Sequence, residues 1–193
     1  MQIFYNFLQR FVPYDQIAFE AFCSLLQQET KLPKKEFLLQ DGDRIKYLYF
    51  VKEGNLRGFY VNGKGDEITS SCYIAPILFT DNYAYANAIA TQLNVQAVSD
   101  VLLYKIELTE VEKLVDKYMT INSFFRLYFS FLFNLNYQRQ LSFIYDSAEE
   151  RYTKLIAQRP KVIDLFPQHY IASYLGMKPE TLSRIRKKMA KRK

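Results

Sequence analysis

The chain has 193 residues, of which 49% are hydrophobic, 24% charged and 17% aromatic, with sixteen Phe, sixteen Tyr and no Trp. This is enough apolar material for one large domain or two small ones, and it excludes a disordered or fibrous chain. The net charge is +6, and the two cysteines, Cys23 and Cys72, exclude a disulfide framework and a metal-spaced cluster.

Residues 1–30 read as helical. Phe4, Phe7, Leu8 and Phe11 share one face until Pro13 breaks the run, and a second amphipathic stretch carries Ile17, Phe22, Leu25 and Leu26. From 34 to 106 the pattern is β. Short apolar or alternating runs at 37–40, 47–52, 56–61, 68–74, 95–97 and 101–106 are separated by turn residues such as Asp41-Gly42-Asp43 and Asn62-Gly63-Lys64-Gly65-Asp66. Strands at that spacing predict a small barrel, roll or sandwich. Residues 107–146 return to helix. Leu108, Val111, Leu114 and Val115 form one amphipathic set, and a long helix follows over 120–145. Its first half is apolar on two faces, with Ile121, Phe125, Tyr128, Leu132 and Leu135 on one and Phe124 and Phe131 nearby. Such a helix is expected to have two partners, its own β domain and the same helix in a second subunit; the alternative is a helix buried inside one monomeric core. The most apolar stretch, 127–138, is twelve residues long, whereas spanning a bilayer takes about 20. No leader pattern opens the chain, so a cytoplasmic protein without membrane contact is expected.

Residues 147–193 read as a small helical domain. Ser147-Ala148-Glu149-Glu150 has the form of a capping box, with a helix to Gln158 that Pro160 stops. A second helix follows Pro167, Gly176 supplies a turn, and Pro179 stands at the first position of a third helix. The excess charge is concentrated here: residues 176–193 hold eight Lys or Arg against one acid, Glu180. They carry +7, so the rest of the chain is close to neutral.

A basic helix behind a helix-turn-helix spacing on a neutral body is the electrostatic footprint of a DNA reader. Ala172 is small where two helices would cross, and Gly176 can adopt the left-handed backbone of the turn. Leu182, Ile185 and Met189 face inward, leaving Glu180, Thr181, Arg184, Lys187 and Lys188 outward. Arg184 can bond guanine through two N–H groups, and Glu180 can accept from a cytosine amino group. Gln168, Lys178 and Ser183 complete the candidate DNA-binding set, while Arg186, Lys191, Arg192 and Lys193 suit phosphates.

The whole order resembles the Crp/Fnr family of bacterial transcription regulators. The resemblance covers nearly the full chain. It rests on Gln40-Asp41-Gly42-Asp43, Val51-Lys52-Glu53-Gly54, Val95-Gln96-Ala97, Glu149-Glu150-Arg151 and, most specifically, the run from Gly176 to Arg184. It implies an α+β fold: an N-terminal double-stranded β-helix (a jelly-roll-like β-roll) with flanking helices over 1–118, a central dimerisation helix over 119–146, and a helix-turn-helix domain over 147–193. It also implies a homodimer through the central helix, double-stranded DNA as partner, base-reading roles for Glu180 and Arg184, and RNA polymerase as a candidate further partner.

Two departures from the family pattern stand out. Members that bind cyclic nucleotides carry Phe-Gly-Glu and, ten residues on, Arg-Ser/Thr-Ala. Here the matching stretches read Phe79-Thr80-Asp81 and Thr91-Gln92-Leu93, and no Lys, Arg or His occurs from 65 to 104. A buried phosphate without a cation is unfavourable, so cyclic AMP is not expected to bind. Thr80, Asp81, Thr91, Gln92, Asn136 and Tyr137 are the candidate ligand-pocket residues. That pocket is empty, filled by its own side chains, or adapted to a neutral effector. The second departure is that only four residues follow Met189, so the family's C-terminal β-hairpin wing is expected to be absent. Iron–sulfur chemistry lacks its cysteines, and the one histidine, His169, falls within the helix-turn-helix, where it is expected to cap or pack rather than bind haem.

No catalytic constellation, Gly-rich phosphate loop or metal set is present, and no cofactor or enzyme activity is expected. The leading reading is a sequence-specific DNA-binding regulator acting as a homodimer, unresponsive to cyclic AMP. The alternative is a small-molecule-binding or protein-interaction module whose C-terminal helices no longer read DNA.

Overall fold

The computed structural model describes residues 1–191. Arg192 and Lys193, counted above among the phosphate-facing cations, lie outside the described residues. The elements run α1 (Gln2–Leu8), α2 (Gln16–Cys23), β1 (Glu29–Leu32), β2 (Phe37–Leu39), β3 (Tyr47–Glu53), β4 (Asn55–Val61), β5 (Glu67–Ile74), β6 (Ile77–Phe79), α3 (Asn82–Ala86), β7 (Asn94–Ala97), β8 (Val101–Glu107), α4 (Leu108–Lys117), α5 (Met119–Tyr145), α6 (Ala148–Gln158), α7 (Pro160–Leu165), α8 (Gln168–Tyr174) and α9 (Pro179–Ala190). The strands form two four-stranded sheets, ordered β1-β8-β3-β6 and β2-β7-β4-β5. This is the α+β fold with a β-roll and C-terminal helices that the resemblance implies.

Two compact units are present. One comprises 1–56 and 73–134; the other comprises 57–72 and 135–193. The first unit holds a core rich in aromatic side chains. β3 lies between β8 and β6, with Phe50 opposite both Tyr104 and Leu78. Phe50 is thereby buried and meets the ring of Phe4 edge-on at 4.7 Å. Phe7, Phe22 and the start of α5 extend this cluster. Side chains alternate across a strand but recur every three to four positions on a helix, which is why α5 inserts Ile121, Phe124, Phe125 and Tyr128 together. The Tyr128 hydroxyl donates to the Leu78 carbonyl at 2.6 Å, so its polar atom is satisfied inside the core.

Asp15 fixes the entry to α2. Its carboxylate accepts from the Ala18 N–H at 3.1 Å and from the Thr120 hydroxyl at 2.6 Å. The bond from Thr120, followed by that from Ala18, holds the Asp15 carboxyl below the usual carboxylate range. Gly54, between β3 and β4, has φ +92, and a Cβ there would lie 2.3 Å from the Asp100 carbonyl oxygen. Only glycine fits such a backbone approach.

Several elements differ from the sequence pattern. Ile17 is expected on the buried face of α2 but is 69% exposed, because Ala18, Phe19, Phe22 and Cys23 take that face. β1 begins at Glu29, inside the stretch read as helical; its polar alternation is supported by pairing with β8. β6 and α3 are too short for periodicity to reveal. Pro160 does not merely end α6. It opens α7 at a first-turn position, where its missing N–H costs nothing.

Candidate nucleic-acid interface and ligand cassette

The second unit is built on the α5 segment from 135 onward. α5 ends at Tyr145, and Ser147 caps α6 with a full capping box: Ser147 Oγ accepts from the Glu150 N–H at 3.3 Å, and Glu150 accepts from the Ser147 N–H at 2.8 Å. The side-chain and backbone bonds from Ser147 hold the Glu150 carboxyl low. Tyr152, Leu155, Val162, Phe166, Ile171, Leu175, Leu182 and Ile185 are buried and form the inner faces of α6 to α9. Ala172, at the centre of α8, is completely buried, as a close helix crossing requires.

Gly176 turns the chain between α8 and α9 with φ +64, and a Cβ on it would lie 2.6 Å from Cε1 of Phe143. The turn therefore needs glycine twice, for its left-handed backbone and for its space. Leu182 and Ile185 face inward and Met189 is half-buried, while Glu180, Ser183, Arg184, Lys187 and Lys188 are exposed. Glu180, Arg184 and Lys187 recur at i, i+4 and i+7, so they share one solvent-facing stripe. Thr181 is half-buried, and its Oγ1 accepts from Arg184 Nη2 at 3.4 Å. Lys188 Nζ pairs with Glu149 Oε2 of α6 at 2.6 Å. Lys178 is exposed at the N-cap of α9, and Gln168 is exposed at the start of α8. His169 is exposed rather than packed, its ring centre 4.1 Å from that of Tyr170.

Sequence reasoning found the strands at 56–61 and 68–74 but missed that residues 57–72 belong to this unit. Arg57 on β4 is 2% exposed. Its Nε donates to Thr69 Oγ1 at 2.9 Å, and its Nη1 pairs with Glu67. The guanidinium lies over the rings of Phe59 and of Tyr170 on α8, at 4.3 and 4.0 Å from their centres. Ser173, also on α8, accepts from the Thr69 N–H at 2.9 Å and donates to the Glu67 carbonyl at 3.2 Å. These bonds join the strands to the first helix of the helix-turn-helix. A lone arginine within an apolar strand was the available signal, but the partner that ties it to the helices, Tyr170, stands more than a hundred positions away.

The β-roll cassette lies in the first unit. Thr91 is 1% exposed; its hydroxyl donates to Asp81 and accepts from the Leu93 N–H at 3.0 Å. Asp81 also caps α3 through the Ala84 N–H. Thr80 donates to the Tyr47 carbonyl at 3.0 Å, and Gln92 is exposed. Thr80, Asp81 and Thr91 are thus satisfied by bonds within the chain. Arg44, outside the cation-free stretch, reaches the cassette and donates to the Ala88 carbonyl at 2.5 Å while remaining exposed. Asn136 and Tyr137 are exposed residues of the second unit. Among the described residues, no cluster of His, Cys, Asp or Glu is placed to hold a metal ion, and no helix is long and apolar enough to cross a membrane.

Residues 29–118 match the family model of the cyclic nucleotide-binding domain. The chain as a whole has the fold of the Crp/Fnr-type regulators. FixK2 from Bradyrhizobium japonicum superposes with a TM-score of 0.74 at 16% identity, over 86% of this chain and 85% of that one. The c-di-GMP-responsive global regulator CLP of Xanthomonas campestris gives 0.72 at 12% identity, over 91% and 92%. A CooA mutant from Carboxydothermus hydrogenoformans gives 0.69 at 16% identity, over 95% and 83%. At these identities the likeness establishes the fold. No curated protein matches the chain in sequence.

Proposed function

We propose that the protein is a sequence-reading, DNA-binding transcription regulator of the Crp/Fnr type, rather than an enzyme, and that it acts as a homodimer. The observation that carries this reading is α9: a packed inner face of Leu182 and Ile185 behind an exposed stripe of Glu180, Arg184 and Lys187. An element of that form suits a major groove, where residues near the helix start reach base edges. The dimer is supported by exposed apolar side chains on α5, among them Leu127, Phe129, Leu135 and Ile144.

Selection from a random DNA pool by the purified protein is expected to recover an inverted repeat. Its half-sites should lie about one or two helical turns apart, at ~34 Å per turn. Arg184→Gln should cost about 1–3 kcal/mol on the selected site and relax base choice. Lys191→Gln should weaken binding to all sequences alike and lower the salt slope by about 1. Indistinguishable effects of the two substitutions would defeat the proposal of base reading.

Cyclic AMP is not its effector on this reading. The Thr91–Asp81 bond occupies the groups that would face a cyclic phosphate and ribose, and Arg44, which reaches the cassette, is solvated and engaged by the Ala88 carbonyl. Millimolar cyclic AMP should leave both the melting temperature and the operator affinity unchanged. A rise in melting temperature with cyclic AMP concentration would contradict this.

A further inference from the structure

A cavity of about 460 Å³ opens within the second unit, among the end of α5, α6 and the end of α8. That volume lies in the ordinary range for small-molecule sites. Three arginines line it, Arg139, Arg151 and Arg159. Arg139 Nη2 donates to the Tyr174 carbonyl at 2.9 Å and the Thr69 carbonyl at 3.3 Å. Arg151 donates from Nε to the Leu175 carbonyl at 2.9 Å and from Nη1 to the Asp146 carbonyl at 2.7 Å. Arg159 donates to the Cys72 carbonyl at 2.5 Å and the Tyr174 hydroxyl at 3.4 Å. Every one of these acceptors is neutral.

Among the described residues, no ion pair includes any of the three arginines. The one acid lining the cavity, Asp146, is already paired with Lys154 at 2.7 Å and bonded by Ser142. Lys154 and then Ser142 hold its carboxyl below the ordinary range. The Asp146 charge also acts on Arg151, so two guanidinium charges at the cavity, Arg139 and Arg159, are left without a counter-charge. Capping of helix ends explains part of the arrangement, since Tyr174, Leu175 and Asp146 offer C-terminal carbonyls and cations are favourable there. It does not explain Arg139 Nε, which is buried and has no hydrogen-bond partner among the described residues. Burial lowers the Arg139 pKa, an independent sign that its charge sits in a poorly solvated place. Leu141 and Leu155 supply apolar wall, and the Phe143 ring stands between Arg139 and Arg151, 4.8 and 5.2 Å from their guanidinium carbons, with Tyr174 4.5 Å from that of Arg139; such ring contacts hold the arginines in place but supply no full counter-charge.

We infer that this cavity binds a small organic oxyanion, a carboxylate or phosphate carried on an apolar body, between the arginines of α5 and α6. Planar guanidinium groups bind both anions through paired N–H donors. The apolar wall takes the body of the ligand. The site is separate from the β-roll cassette and its occupancy does not depend on DNA reading.

The test is calorimetric titration of the full chain, without DNA, using 2-naphthoate, 2-naphthyl phosphate and the neutral 2-naphthamide. At least one of the two anions should bind saturably and at least tenfold more tightly than the amide. The tighter of the two identifies carboxylate or phosphate as the preferred group. Gln158→Glu keeps all three arginines and places a carboxylate at the cavity lining; it should weaken the anion at least tenfold. Arg159→Gln, checked for an intact fold by circular dichroism, should do the same. Equal binding of amide and anions, anion binding unmoved by Gln158→Glu, or no saturable binding of either anion at millimolar concentration would each overturn the inference.

Discussion

Arg57→Ala is expected to destabilise the protein by about 3 kcal/mol, among the larger single-site effects. The side chain is 2% exposed and contacts four groups: Thr69, Glu67 and the rings of Phe59 and Tyr170. Glu67 is half-exposed, so water recovers much of its share once the partner is gone. The loss comes instead from the buried bond to Thr69, from the stacking, and from the space left behind. A bond to a charged donor is worth about 1.5–3 kcal/mol, and a desolvated cation–ring contact adds up to about 2. Arg57→Lys keeps the charge but not the planar fork, and should recover less than half of the loss. Urea unfolding followed by circular dichroism measures both. A loss below about 1 kcal/mol for Arg57→Ala would mean that the strand pair and α8 are held by other contacts.

Phe124→Ala is expected to cost about 3–5 kcal/mol. Its ring is fully buried, and the rings of Phe7, Phe11, Phe22, Phe125 and Tyr128 lie 5.2–6.4 Å from it, centre to centre. Removing it takes away the shared member of these pairs, and close packing leaves the neighbours little room to collapse. Phe124→Leu preserves most of the volume and should cost less than half as much. Guanidinium unfolding reports both values. A similar cost for the two substitutions would show that the ring contacts, rather than the filled volume, dominate at this site.

The sequence made legible what is local. The strands with apolar runs, the long helix, the Ser147 capping box, the Gly176 turn and the inward face of α9 follow from periodicity and turn chemistry over a few residues. The charge concentrated after residue 176 and the divergence at Thr80 and Thr91 are equally local. What escaped depends on partners far along the chain. Ile17 looks apolar in its own window, yet Phe19 and Phe22 win the buried face of α2. β1 is a strand because β8 pairs with it. Arg44 reaches a cassette that begins more than thirty positions later. The arginine cavity is invisible in sequence for the same reason: Arg139 is on α5, Arg151 on α6 and Arg159 at the junction of α6 and α7, and basic residues so spaced are unremarkable.

The second unit is assembled from two stretches of chain, 57–72 and 135–193. It therefore cannot be excised with one cut. A fragment beginning at Ser147 keeps every residue of the helix-turn-helix, yet it strands the Tyr170 ring, the Ser173 hydroxyl and the Arg159 guanidinium without the strand atoms they meet here. During synthesis the strand pair also emerges from the ribosome long before those helices exist. Folding of this unit is thereby tied to synthesis of both stretches, and a product that stops before 135 would carry the strand pair without the helices it meets.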